Sequence, residues 1–114
     1  MGTLQREALD AIRELAGDNT DLLQQIVALY LDSTPGLLEQ MKSGFANGDL
    51  TTIRNAAHTL KSSSANLGAT ELSKMCSQLE AAARAGAIGP ETPSAQAIES
   101  EYEGVKSALL AEIA

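Results

Sequence analysis

The side chain best equipped for chemistry in this chain is its one histidine, His58. Imidazole is nucleophilic when neutral and easily protonated near neutral pH, so it can accept and surrender a group under ordinary conditions. At about 100° per residue, Ile53, Ala57, Leu60 and Ser64 define the inner stripe of a helix, and His58 falls about 130° from its centre. The ring is expected to face outward. Lys61 lies roughly 60° round on the adjoining turn, where an ammonium would keep such a ring uncharged and offset charge on a phosphoryl group attached to it. Ser62 lies over the same face with Ala65 beyond it, and these small side chains leave the imidazole approachable. The other reading of the same spacing is a solvated surface histidine, and helical position alone leaves both open.

No other grouping competes. One His and one Cys cannot make a structural zinc site, and a carboxylate-bridged di-iron bundle needs Glu three residues before His, where Asn55 stands. Phosphate-cradling Gly-x-x-x-x-Gly-Lys loops, Gly-x-Gly-x-x-Gly and Gly-x-Ser-x-Gly are missing, so neither nucleotide, metal nor other cofactor is expected. Cys76 lies on an apolar stripe with no cation or His beside it in sequence and reads as an inert core thiol, and Met41 and Met75 read as core fillers. Glu99, Glu101 and Glu103 read as a solvated face.

The elements that must position His58 are helices. The 114 residues read as one domain spanning 1–114, able to bury about two-thirds of its unfolded surface. Aromatic content of 3% with no Trp suits an aliphatic and Ala core. Six helices are predicted from apolar spacing. The first carries Leu4, Ala8, Ile12 and Leu15 and stops at Gly17, and Asp18 or Asn19 caps the second. The second holds Leu22, Leu23, Ile26, Val27 and Tyr30, with Leu29 and Leu31 suggesting enclosure on most sides of its later half. Thr34-Pro35 reads as its end and as the cap of a third, with stripe Leu37, Leu38, Met41 and Phe45. Asn47-Gly48-Asp49 is a turn and N-cap for the His58 helix, whose inner face runs from Leu50 through Leu67 to a stop at Gly68. Ser64 points inward there, where a hydroxyl commonly bonds back to a carbonyl one turn earlier. Thr70 opens a fifth helix packing Leu72, Met75, Cys76, Leu79, Ala82 and Ala83; a loop runs from Gly86 to Pro93; and Thr92-Pro93 starts a sixth with face Ile98, Tyr102, Val105 and Leu109. Short connections make neighbours antiparallel, giving an all-α, up-and-down four-helix bundle with one or two additional N-terminal helices.

Eight basic against fifteen acidic residues give a net charge of −7, which disfavours nucleic acid and anionic membrane as partners. The chain has no apolar run long enough to span a bilayer, no signal core in Met1-Gly2-Thr3-Leu4-Gln5-Arg6, and a lone cysteine. A cytoplasmic setting is expected.

The segment Ala56-Ala57-His58-Thr59-Leu60-Lys61-Ser62-Ser63-Ser64-Ala65-Asn66-Leu67-Gly68 resembles the phosphoacceptor motif of histidine-containing phosphotransfer (HPt) domains, His-x-Leu-Lys-Gly-Ser-x-x-x-Leu-Gly. Leu29-Tyr30-Leu31-Asp32-Ser33-Thr34-Pro35, Gly48-Asp49-Leu50 and Leu79-Glu80-Ala81-Ala82-Ala83-Arg84 are similar to further segments of that family, and residues 4 to 110 follow its pattern. One position departs: Ser62 stands where the family most often has Gly, and it either narrows the approach or adds a hydroxyl near the phosphoryl oxygens.

The resemblance implies a relay intermediate without kinase motifs. A receiver-domain aspartyl phosphate would dock over the helix and pass its phosphoryl group to the outer nitrogen of His58, with Lys61 compensating charge, Ser62 beside the phosphate, and Thr51, Arg54 and Ala65 in the docking patch. A second receiver would take the group onward. Magnesium would belong to the receiver, the domain would be a monomer, and it could be free-standing or the C-terminal part of a membrane-anchored hybrid sensor kinase. Three other readings exist. A histidine-kinase dimerisation domain usually has Glu or Asp directly after its His, where this chain has Thr59; a plain interaction bundle would make His58 incidental; and a ferritin-like oxidase lacks its ligands.

Overall fold

Five α-helices follow one another in the computed structural model, which describes residues 4–19 and 21–114. Met1, Gly2 and Thr3, the first half of the N-terminal segment read above, lie outside the described residues, as does Thr20. The helices are α1 (Arg6–Ala16), α2 (Leu22–Asn47), α3 (Leu50–Asn66), α4 (Thr70–Ala85) and α5 (Ala95–Ile113). The described residues contain no strand. Helices α2 to α5 form the bundle, with α3 packed chiefly on α4 and α2, while α1 lies against α2. None of these helices is long and apolar enough to cross a membrane.

The two helices expected on either side of Thr34-Pro35 are one. The buried positions Leu23, Val27, Tyr30, Thr34, Leu38 and Met41 keep a single helical phase straight across the proline, so one continuous stripe enters the core. Proline inside a helix removes one N–H and ordinarily costs about 3 kcal/mol. Here Pro35 lies on the exposed side of the helix, away from the buried stripe, so its ring does not disturb the core face. The Thr34 hydroxyl, read as a cap, instead donates back to the Tyr30 carbonyl at 2.6 Å. Enclosure of the later half of the predicted second helix does not hold either, since Leu29 is 70% exposed.

Smaller corrections follow from where faces meet. Leu9 is the buried residue of α1, whereas Leu15 at its end is exposed, because the contact face is centred between Ala8, Leu9 and Ile12. Asn19 does not sit at the N-cap of α2; its side chain accepts from the N–H of Asp21, which occupies that position. Helix α5 is capped by Ser94, whose hydroxyl accepts from Ala97 N at 3.0 Å, and Thr92 caps the loop by accepting from Gly89 N. Asp49 does cap α3, accepting from the Thr52 hydroxyl at 2.6 Å and from Thr52 N at 3.1 Å, and those contacts hold its carboxyl below the usual range.

Two glycines allow close approach around α3. A Cβ on Gly44 would lie 2.6 Å from the Ile53 side chain, so glycine there lets α2 and α3 converge. Gly68 ends the α3 turn at φ +78, and a Cβ would lie 2.7 Å from the Gln5 carbonyl oxygen. Its own carbonyl accepts from Gln5 N at 2.7 Å, which ties the approach to α1 onto the foot of α3. Helix α1 is also fastened by charge along its length: Arg6 at its start forms a two-pronged pair with Glu112 at 2.7 and 2.6 Å, and Arg13 near its end adds a third bond at 3.1 Å.

Candidate functional site

Helix α3 carries His58 and the side chains around it. Ile53, Ala56, Ala57, Leu60 and Ser64 are buried, and His58 points outward with its side chain 61% exposed. Thr51, Ser62 and Ala65 are exposed and Arg54 is half-buried, and all four fall within about 40° of His58 around the helix. The structure therefore brings these residues to one face. Ser64 is inward as expected, but its hydroxyl meets the Tyr30 hydroxyl of α2 at 2.8 Å rather than a carbonyl of its own helix. That buried pair locks the register of α3 against α2.

The residue that organises the site is one the sequence reading gave no role, Glu80 of α4. Its side chain is only 5% exposed, yet it serves three donors. Lys61 Nζ reaches Oε1 at 2.5 Å, while His58 Nδ1 and Arg84 Nη2 reach Oε2 at 2.8 and 2.9 Å. Lys61 holds this carboxyl below its ordinary pKa, with His58 contributing and burial opposing. An ionised carboxylate can only accept, so the ring nitrogen facing it must be Nδ1–H. In the neutral ring the lone pair then sits on Nε2, the nitrogen turned away from Glu80.

Lys61 is consequently not a free surface ammonium but a group 31% exposed and directed at Glu80. One signal for Glu80 was legible. It falls among the core-facing positions Leu72, Cys76, Leu79 and Ala83, and a carboxylate on an apolar stripe calls for a cationic partner across the interface. Arg84, four residues on, is the matching cation on its own helix.

The surroundings separate this site from the rest of the molecule. A groove of about 210 Å³ runs beside it between α2 and α3, lined by Ile26, Leu29 and Ser33 on one side and Ser63, Asn66 and Leu67 on the other. A larger cavity of about 370 Å³ is lined by residues of α1, α2 and the end of α5, none of them from α3 or α4. Among the described residues no group of three or more His, Cys, Asp and Glu side chains is placed to hold a metal ion. Cys76 is fully buried and burial pushes its thiol up to about 12.

Comparison with known proteins adds three findings. The family described as Hpt domain matches residues 25–108. No curated protein sequence matches the chain. Among solved structures, the crystal structure of histidine-containing phosphotransfer protein B (HptB) from Pseudomonas aeruginosa PAO1 superposes with a TM-score of 0.87 at 23% identity, covering 98% of this chain and 95% of that one. The likeness shows the same fold, and neither match supports an interaction bundle or a kinase dimerisation domain. Hpt domains are phosphotransfer carriers rather than kinases, and they exchange phosphoryl groups with response-regulator receiver domains. With its family match over most of its length and its fold in agreement, the chain belongs to the Hpt domain family and functions in histidine phosphotransfer within phosphorelays.

Proposed function

We propose that His58 is the phosphoacceptor and that the group is carried on Nε2. The observation that carries this reading is the contact between His58 Nδ1 and the buried, ionised Glu80 beside an otherwise open ring. In the forward step the Nε2 lone pair attacks the phosphorus of a receiver's aspartyl phosphate. The N–P bond forms as the P–O bond to the aspartate breaks, and the carboxylate stays with the receiver. The proton remains on Nδ1, where Glu80 offsets the positive charge that develops on the ring. The reverse step uses the same atoms, so net direction follows from the acceptor's energetics and abundance.

The other roles follow from placement. Lys61 compensates charge through Glu80 and at the phosphoryl group, Ser62 lies beside the phosphoryl oxygens, and Thr51, Arg54 and Ala65 form the docking patch. The chain needs no cofactor of its own and no ATP, the magnesium ion being the receiver's. It acts as a monomer in the cytoplasm, alone or within a hybrid sensor kinase. A charge of −7 keeps it from nucleic acid and anionic membrane.

Incubation with receiver domains charged by acetyl phosphate tests the assignment. Acid-labile, base-stable label should appear on the wild type and be absent from His58→Gln. Label retained by His58→Gln, or no label on the wild type from any of a panel of receivers, overturns it.

A further inference from the structure

The molecule is acidic, but its charge is divided by helix. Residues 50–85, which make up α3 and α4, carry four basic and two acidic side chains; the remaining residues carry four basic and thirteen acidic ones. The basic charge is also one-sided around the imidazole. Arg54 and Lys61 lie about 40° and 60° from His58 in the same sense around α3. Lys61 reaches Glu80, so that sense is the α4 side, where Arg84 joins them with its side chain 63% exposed. Three cations thus face a single carboxylate on this flank. Arg54 makes no ion pair among the described residues.

The opposite flank has no such charge. It is formed by Thr59, Ser63 and Asn66 of α3 with Ile26 and Leu29 across the groove. The one basic residue of α2, Lys42, is taken by Glu99 of α5 at 2.9 Å. A partner approaching His58 therefore meets a field that changes across the width of one helix.

We propose that this gradient fixes which way round a receiver docks, with the acidic rim of its phosphoryl pocket against the Arg54–Arg84 flank and its uncharged side over the α2–α3 groove. The inference rests on the phosphotransfer reading above. A pocket that holds an aspartyl phosphate and a hard divalent cation must be lined by carboxylates, so its rim is complementary to the α4 flank and not to the α2 flank. The overall charge of −7 repels an acidic partner arriving in any other orientation.

Two substitutions that each change the charge by −1, on opposite flanks of the same imidazole, test this. Arg54→Ala removes a cation on the α4 side, and Thr59→Glu adds an anion on the α2 side. For transfer from a phosphorylated receiver, Arg54→Ala should lower kcat/KM about two- to five-fold, as rim charges do, and Thr59→Glu, which meets the receiver's uncharged side, should lower it less. The loss should shrink in 0.5 M salt, where screening acts over about 4 Å. Equal losses in both variants would mean that net charge alone matters, and a loss unchanged by salt would mean that Arg54 acts by packing; either result, or no loss at all, overturns the proposal. Wild-type protein that takes no label from receivers instead removes the phosphotransfer reading beneath it.

Discussion

At the scale of single residues, the site is a carboxylate shared by an imidazole, an ammonium and a guanidinium. Glu80 is a positioning residue: it fixes the ring through Nδ1 and so presents Nε2. Glu80→Gln keeps the shape but removes the charge, and a hydrogen bond to a charged group is worth about 1.5–3 kcal/mol, so phosphotransfer should fall about ten-fold or more. A merely structural role would leave the ring's tautomer alone. Imidazole ¹⁵N shifts should report Nδ1–H in the wild type and a mixed population in Glu80→Gln; an unchanged tautomer would rule out the positioning role. The outward placement of His58 was legible from sequence because its angle around α3 depends only on spacing within one helix, whereas its chemical role came from the resemblance of the surrounding motif. Glu80 was not, because the contact joins residues 22 apart on different helices, and an acidic side chain by itself reads as solvated.

At the scale of elements, α3 is held in place by α2 and α4 through unlike contacts. Toward α4 it adds to apolar packing the charged cluster and the bond from the Ser73 hydroxyl to the Lys61 carbonyl at 3.0 Å. Toward α2 it uses apolar packing and the buried Tyr30–Ser64 hydroxyl pair. Tyr30→Phe strands the Ser64 hydroxyl in the core and should cost about 1–2 kcal/mol in urea unfolding. Adding Ser64→Ala should cost less than a second such loss, and strict additivity in that cycle would show that the pair is not coupled. The helices themselves were legible except at Thr34-Pro35. That pair has the chemistry of a boundary, but unbroken phase from Leu23 to Met41 outweighs it, since a helix stripe that stays in register can bury as one face. The misassigned cap of α5 has a similar origin, because both Thr92 and Ser94 can cap and only the loop's path selects between them.

At the scale of the whole molecule, the chain's two ends are joined through Arg6, Arg13 and Glu112, a contact between residues about a hundred positions apart that no local pattern announces. Arg6 and Arg13 pull the Glu112 carboxyl from 4.5 down to about 2. A depressed carboxylate contributes stability that is complete above its unfolded pKa and is lost as pH falls through its folded one. The wild type should therefore weaken between about pH 4.5 and 2, and Glu112→Gln should flatten that part of the curve in urea unfolding at pH 3, 4 and 7. Identical pH curves for the two would show that the clasp is fully screened by solvent. Cys76 lies sealed at the centre of this assembly, its thiol out of contact with water and held protonated. The folded chain should therefore be silent toward maleimides and disulfide reagents. A cysteine introduced at the exposed Thr51 or Ala65 would be the sole target for a fluorophore, and the arrival of a docking partner could be followed in real time without first stripping the native sulfur.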